Sequence, residues 1–252
     1  MKTICFFNQK GGVAKTTSCL NTGAALSFCG FKCLLIDMDP QGSLSQSAGF
    51  DDLDDDAITT YEVLLGKSIN KGIQRKETEY PYDILPTDIR LSGIEFEIVS
   101  NERRNFLLKK ALEKLKGNYD YILIDCPPSL NTLSLMALTA STDVIIPVQA
   151  QYLPLKGVAL IRDTINLMQE HFNPELKIAG VLLTFYNERR NLDKDVLEVL
   201  QQAFGNKLFK TMISTNTKLA EAPSHGKDII EYSPRSKGAK QYKALALEIS
   251  EQ

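Results

Sequence analysis

Ten residues near the start of the chain, Asn8 to Thr17 (N-Q-K-G-G-V-A-K-T-T), combine two lysines, a glycine pair and two adjacent threonines. Such a set suits the phosphates of a nucleotide. Backbone N–H groups of a glycine-rich loop and of the helix that follows face the phosphate oxygens, a lysine neutralises the outer phosphates, and a hydroxyl binds Mg²⁺. Lys15 and Thr16 fill the last two roles, with Lys10, Gly11, Gly12, Val13, Ala14 and Thr17 completing the cradle. Carboxylates are the other half of this chemistry. Asp37 and Asp39 stand one residue apart after K-C-L-L-I, and Asp125 ends Y-I-L-I-D. At the carboxyl ends of parallel strands such groups lie beside a phosphate loop, where they can serve a metal and an attacking water.

The elements that must position them are legible. Thr3 to Phe7 is a short apolar run that suits a buried parallel strand, and Thr17 to Cys29 has helical spacing that stops at Gly30. Strand, glycine loop and helix form the context a phosphate loop requires. The strict pattern G-x-x-x-x-G-K-[ST] is not met, because Gln9 and Ala14 stand at its two glycines. What is present, K-G-G-V-x-K-T-T, resembles the deviant Walker A motif of the ParA/MinD family of ATPases. That resemblance implies ATP and Mg²⁺ as cofactors, and an extra lysine, Lys10, that reaches a partner's nucleotide across an ATP-dependent homodimer. Ala14, where the family mostly has glycine, is expected to cost on the order of 1 kcal/mol if the position needs a glycine-like conformation.

The octet L-I-D-M-D-P-Q-G, residues 35–42, resembles the family's second acidic motif. By that match Asp39 orients the hydrolytic water and Asp37 supports the Mg²⁺ site. Asp125 resembles the Walker B aspartate, and the following Cys126-Pro127-Pro128-Ser129 a switch that senses the γ-phosphate. The catalytic set is then Lys10, Lys15 and Asp39, and the metal set Thr16, Asp37 and Asp125. Asn187, after the run Lys177 to Thr184, matches the position that holds adenine, although an asparagine there is also an ordinary turn residue. Asn216 is a second candidate for the base, but Ser214-Thr215-Asn216 stands where the family usually has Pro-Arg-Asn.

The tail from Ile213 onward makes the resemblance closest to Soj-type ParA partitioning proteins. It implies non-specific double-stranded DNA and a ParB-like protein as partners, with Arg189 and Lys218 at positions that touch the DNA backbone. Arg190, Lys227, Arg235, Lys237 and Lys240 are weaker candidates, and solvated surface charge is the other reading of each. From Asn187 onward 11 Lys and Arg stand against 9 Asp and Glu, in a chain whose net charge is −2. Phosphate contact without base readout is the mechanism such a surface allows.

The whole chain, 252 residues with 43% hydrophobic content, can bury a sizeable core and is read as one α/β domain, 1–252. The expected fold is a doubly wound, mostly parallel sheet flanked by helices. Further strands are expected at Tyr82 to Leu85, Tyr121 to Asp125, Asp143 to Val148 and Lys177 to Thr184. Helices are expected within Ile94 to Leu115 and over Lys156 to His171 and Lys237 to Gln252. Asp51 to Asp56, with five aspartates, lacks the spacing of a calcium loop and is read as a solvated surface loop. The five cysteines have no C-x-x-C spacing and both histidines are isolated, which argues for buried thiols and against a metal or histidine-based centre. Without a long apolar run or a leader pattern the expected location is cytoplasmic, on the nucleoid if DNA is the partner. The last segment decides against a membrane. Its apolar positions Tyr242, Leu245 and Ile249 with Glu248 and Glu251 fit a docked helix, whereas a membrane-surface helix carries basic residues on its polar face. A membrane-surface positioning ATPase, and a scaffold that positions a protein cargo, are the alternatives.

Overall fold

The structure is a computed structural model that describes residues 1–54, 56–150 and 155–252, with side chains for all of these except 155–158. Strand β1 (Lys2–Phe6) lies at the centre of an eight-stranded sheet built with β2 (Cys33–Asp37), β3 (Gln74–Lys76), β4 (Tyr82–Leu85), β5 (Tyr121–Asp125), β6 (Asp143–Gln149), β7 (Lys177–Tyr186) and β8 (Ile213–Ser214). The order is β3-β4-β2-β5-β1-β6-β7-β8, and the pairs are parallel except β3 with β4.

Both faces of the sheet are covered, which is why its strands are apolar runs and not alternating ones. In β1 and β2, Cys5, Leu34 and Ile36 point to one core with Leu108, Leu133, Met136 and Leu200; Ile4, Phe6 and Leu35 point to the other with Leu20, Leu26, Tyr242 and Leu245. The chain order reverses on either side of β1, so the loop leaving β1 opens at the switch point of the sheet, where an open α/β sheet binds its ligand.

The expected strands and helices are present with shifted ends. The first helix runs Lys15–Phe28, beginning inside the phosphate loop, and β7 continues two residues past Thr184. Ile94 to Leu115 is more broken than expected, forming short helices at Ile94–Glu97 and Leu107–Leu112 with a 3-10 turn at Arg104–Phe106. Elements not anticipated include β3, β8, the helix Thr132–Ala140 and the helix Asn191–Phe204, whose Val196, Leu200 and Phe204 are buried. The last helix, Lys237–Ser250, is docked as expected, with Tyr242, Leu245 and Ile249 buried against the first helix and the sheet. All five cysteines are free, and Cys5, Cys19, Cys33 and Cys126 are buried. Asp51, Asp52, Asp54 and Asp56 are exposed, and Asp55 lies outside the described residues. No described helix is long and apolar enough to cross a membrane.

Candidate active site

Three neighbouring strands deliver the site. The loop Asn8–Ala14 leaves β1, Asp37 ends β2 and Asp125 ends β5, and Asp125 pairs in register with Phe6 on one side and Asp37 on the other. The loop is fastened at each step. Asn8 Nδ2 donates to the Pro147 carbonyl at 2.8 Å, and Asn8 Oδ1 accepts from the Lys10 N–H at 3.0 Å. Gln9 explains one departure from the strict pattern, because its Nε2 donates to Thr164 Oγ1 at 2.9 Å and ties the loop to the helix Leu155–His171. The Thr184 hydroxyl lies 3.1 Å from both the Val13 and Val148 carbonyls, clamping the loop to β6 and β7.

Ala14, the other departure, has φ 65° and ψ 37°, a left-handed conformation. The penalty anticipated for a non-glycine residue therefore applies here. Phe185, at φ 55°, is a second and bulkier left-handed residue. Both line an apolar cavity of about 300 Å³ beside the first helix, together with Thr17, Ile213, Asn216 and Tyr242. It has the volume and lining to take a flat base. Asn216 caps the helix Thr217–Glu221, its Oδ1 accepting from the Lys218 N–H at 2.9 Å. Asn187 does not line this cavity. It faces an adjoining one of about 560 Å³, where its Oδ1 accepts from the Arg189 N–H at 3.0 Å. Ser214 and Thr215 line both cavities.

At the phosphate end, Lys15 is buried and its Nζ donates to the Lys10 carbonyl at 3.1 Å, while Lys10, Gly11 and Gly12 are exposed. Burial pushes the Lys15 ammonium down, and the charge of Asp125 partly offsets this. Thr16 Oγ1 donates to Asp125 Oδ2 at 2.7 Å. Asp125 Oδ1 is buried without any hydrogen-bond partner. Asp37 is fully buried, accepting from Ser45 Oγ at 2.7 Å, Ser45 N at 2.9 Å and Asp39 N at 3.1 Å. Burial, and then the charge of Asp37, hold the Asp125 carboxyl well above the usual range; burial pushes Asp37 up to about 6 despite its hydrogen bonds. Buried carboxylates that repel one another and an orphaned carboxylate oxygen beside a hydroxyl call for a cation. Mg²⁺ fits, since it binds through one or two carboxylates, a hydroxyl, waters and substrate phosphates and needs no cage of protein ligands. Among the described residues no cluster of three His, Cys, Asp or Glu is arranged to hold a metal alone.

Pro128 lies beside the loop, its Cβ 3.8 Å from where a Cβ on Gly11 would lie, so the segment after Asp125 borders Gly11. Sequence reasoning missed Ser45, Thr184 and the buried contact of Ser18 Oγ with Tyr242 Oη at 3.2 Å. Serine and threonine inside regular elements give no pattern by which to find them.

A family model described as an AAA domain matches residues 1–178. The chain is 45% identical to the sporulation initiation inhibitor protein Soj of Bacillus subtilis, over 99% of this chain and 98% of that protein. It is 42% identical to the chromosome-partitioning ATPase Soj of Treponema pallidum, over 98% and 96%. The chain belongs to the ParA/Soj family of ATPases. Solved structures are similar over nearly the whole ParA/Soj chain. A Mycobacterium smegmatis protein described as cobyrinic acid a,c-diamide synthase, with bound ATP analog and magnesium, is 37% identical with TM-score 0.80, covering 98% of this chain and 93% of that one. The septum site-determining protein MinD of Pyrococcus horikoshii, complexed with Mg-ADP, is 26% identical with TM-score 0.81 over 98% and 95%.

The two residues expected to contact DNA have different surroundings in this ParA/Soj chain. Arg189 is exposed and lines the 560 Å³ cavity with Lys210 and Lys237. Lys218 donates to Glu221 Oε2 at 2.8 Å and lies over the Tyr232 ring at 5.7 Å, so its charge is already shared.

Proposed function

We propose that this chain is a Mg²⁺-dependent ATP hydrolase that dimerises on ATP, binds DNA without sequence preference as a dimer, and lets go after hydrolysis. Its cellular task is partitioning of a chromosome or plasmid with a ParB-like partner; chromosome partitioning is the task that the names of several relatives print. The observation that carries the reading is the Thr16–Asp125 hydrogen bond at 2.7 Å beside the partnerless Asp125 Oδ1, at the mouth of a lysine-bearing loop. Bound Mg²⁺ would supply positive charge against the phosphates between Thr16 and Asp125.

Every other role falls to side chains. Lys15 releases the Lys10 carbonyl and turns to the outer phosphates. Asp39, half-buried and free of the sheet, receives the water's proton or aligns it, while Asp37 and Ser45 fix the backbone that carries it. Positioning and charge neutralisation are what phosphoryl transfer asks of a protein. Lys10 is exposed at the rim, free to reach a second copy. A membrane-surface role is disfavoured because the apolar face of the last helix is already buried in the domain.

The test is solution mass by light scattering with Mg²⁺-ATP, in an Asp39→Ala background that slows turnover. The mass should double with ATP, stay single with ADP, and stay single when Lys10→Ala is added. An unchanged mass with ATP in Asp39→Ala would overturn the dimer reading.

A further inference from the structure

We infer that Gln241, on the last helix, is a positioning residue for the base of the nucleotide: by holding Ser214 it sets one wall of the apolar cavity beside the first helix. The inference rests on the reading that ATP is the ligand and that its base enters this cavity.

Five consecutive residues, Ile213 to Thr217, line the cavity of about 300 Å³. The place of this segment therefore fixes the width of the cavity. Its own strand is too slight to hold it. β8 has two residues and pairs with β7 alone, across a register shift that sets Thr184 opposite Ile213 and Tyr186 opposite Ser214. The outer side of an edge strand carries backbone groups that no strand satisfies, so another element must take them.

The last helix supplies that element. Gln241 Oε1 accepts from the Ser214 N–H at 3.2 Å and from Ser214 Oγ at 3.0 Å, so one amide oxygen takes both donors of the residue. A backbone N–H can only donate, which fixes the end of the amide that meets Ser214. Ser214 lines the base cavity, whereas Gln241 lines the adjoining one of about 560 Å³, so Gln241 acts on the base through Ser214. Two neighbours on the same helix complete the wall. Tyr242 lines the base cavity itself. Gly238 lets the helix close on the segment, since a Cβ there would lie 2.9 Å from Leu219 Cγ and 3.2 Å from Asn216 Nδ2, and both of these residues line the cavity. A proline at 214, the residue usual there in the ParA/Soj family, has neither the N–H nor the hydroxyl, so this clamp goes with the chain's departure from that pattern.

The experiment compares the full-length wild type with Gln241→Met and Gln241→Glu. Methionine keeps the length and removes the acceptor, while glutamate keeps an acceptor for both donors. Affinity for Mg²⁺-ADP is measured by calorimetry, because the proposed dimer forms with ATP and not with ADP. It should fall about fivefold or more in Gln241→Met and less than about twofold in Gln241→Glu. In ATP turnover the loss should appear in KM, with kcat within about twofold of wild type, because contacts to the base act alike in ground and transition states. A merely structural role would lower kcat through loss of folded protein. Unchanged ADP affinity in Gln241→Met, equal losses in the two variants, or a fall in kcat as large as the fall in affinity overturns the inference, while ADP binding by wild type leaves the nucleotide reading standing. A wild type that binds no ADP overturns the nucleotide reading itself, and the inference with it.

Discussion

Replacing Ala14 by glycine should make the protein more stable, the reverse of the effect of putting glycine inside a helix. Ala14 sits at φ 65°, and its carbonyl accepts the Ser18 N–H at 2.9 Å, so the conformation is fixed by the first turn of the helix. A left-handed conformation costs an L-residue roughly 1–2 kcal/mol. Glycine removes that penalty but gives the unfolded chain extra freedom, which takes back about 0.4–1 kcal/mol. The net gain is about 0.5–1 kcal/mol, or roughly 1–4 °C in melting temperature for a chain of this size. The assay is thermal and urea unfolding without nucleotide, with Ala244→Gly as the control. Ala244 is exposed in the last helix in ordinary helical conformation, and there glycine should lose about 1 kcal/mol. Opposite signs for the two variants support the reasoning. An Ala14→Gly protein that melts as far below wild type as Ala244→Gly would refute it.

Two further outcomes can be read from stability alone. Burial raises the Asp37 carboxyl from 3.8 to about 6, so the folded state holds this proton more tightly than the unfolded chain does. The contribution is fully present below about pH 4 and is lost as pH rises through about 6. Stability of wild type relative to Asp37→Asn should therefore fall across that window in urea titrations, and Mg²⁺ should restore part of it at neutral pH. Parallel pH curves for the two proteins would show that Asp37 carries no such shift. Tyr242→Phe removes the partner of the buried Ser18 hydroxyl and loosens the last helix from the first. Urea unfolding should report a loss of about 1 kcal/mol, and a neutral result would mean Ser18 finds another hydrogen-bond partner.

The loop after β1 and the carboxylates beside it were legible because the loop residues are contiguous and the strands are continuous apolar runs ending in carboxylates, a pattern that survives without tertiary information. Lys15, Thr16, Asp37 and Asp125 therefore converge as expected. The base end was legible only in part. Asn187 and Asn216 come from segments that follow β7 and β8, whose pairing carries a register shift between Thr184 and Tyr186, and Asn187 lines the neighbouring cavity. Strand β8 has two residues, too few for any period to show, and β3 (Q-R-K) is polar because it is an edge strand. The helix Asn191–Phe204 carries a clear apolar stripe, but it follows a charged stretch, Glu188-Arg189-Arg190, whose arginines are read as candidates for DNA contact. The fate of a surface charge is not written locally at all. Lys218 is drawn to Glu221 one turn away, while Arg189 joins Lys210 and Lys237 from distant parts of the chain.

In the proposed function, ATP turns this protein into a DNA-binding form. Binding to a random-sequence duplex, measured with ATP, ADP or no nucleotide at low and moderate salt, tests it most directly, with Lys10→Ala and Arg189→Ala alongside. The account predicts ATP-dependent binding that weakens steeply with salt and is reduced by both substitutions. Absence of binding in every nucleotide state, or binding indifferent to ATP and to Lys10, would contradict it.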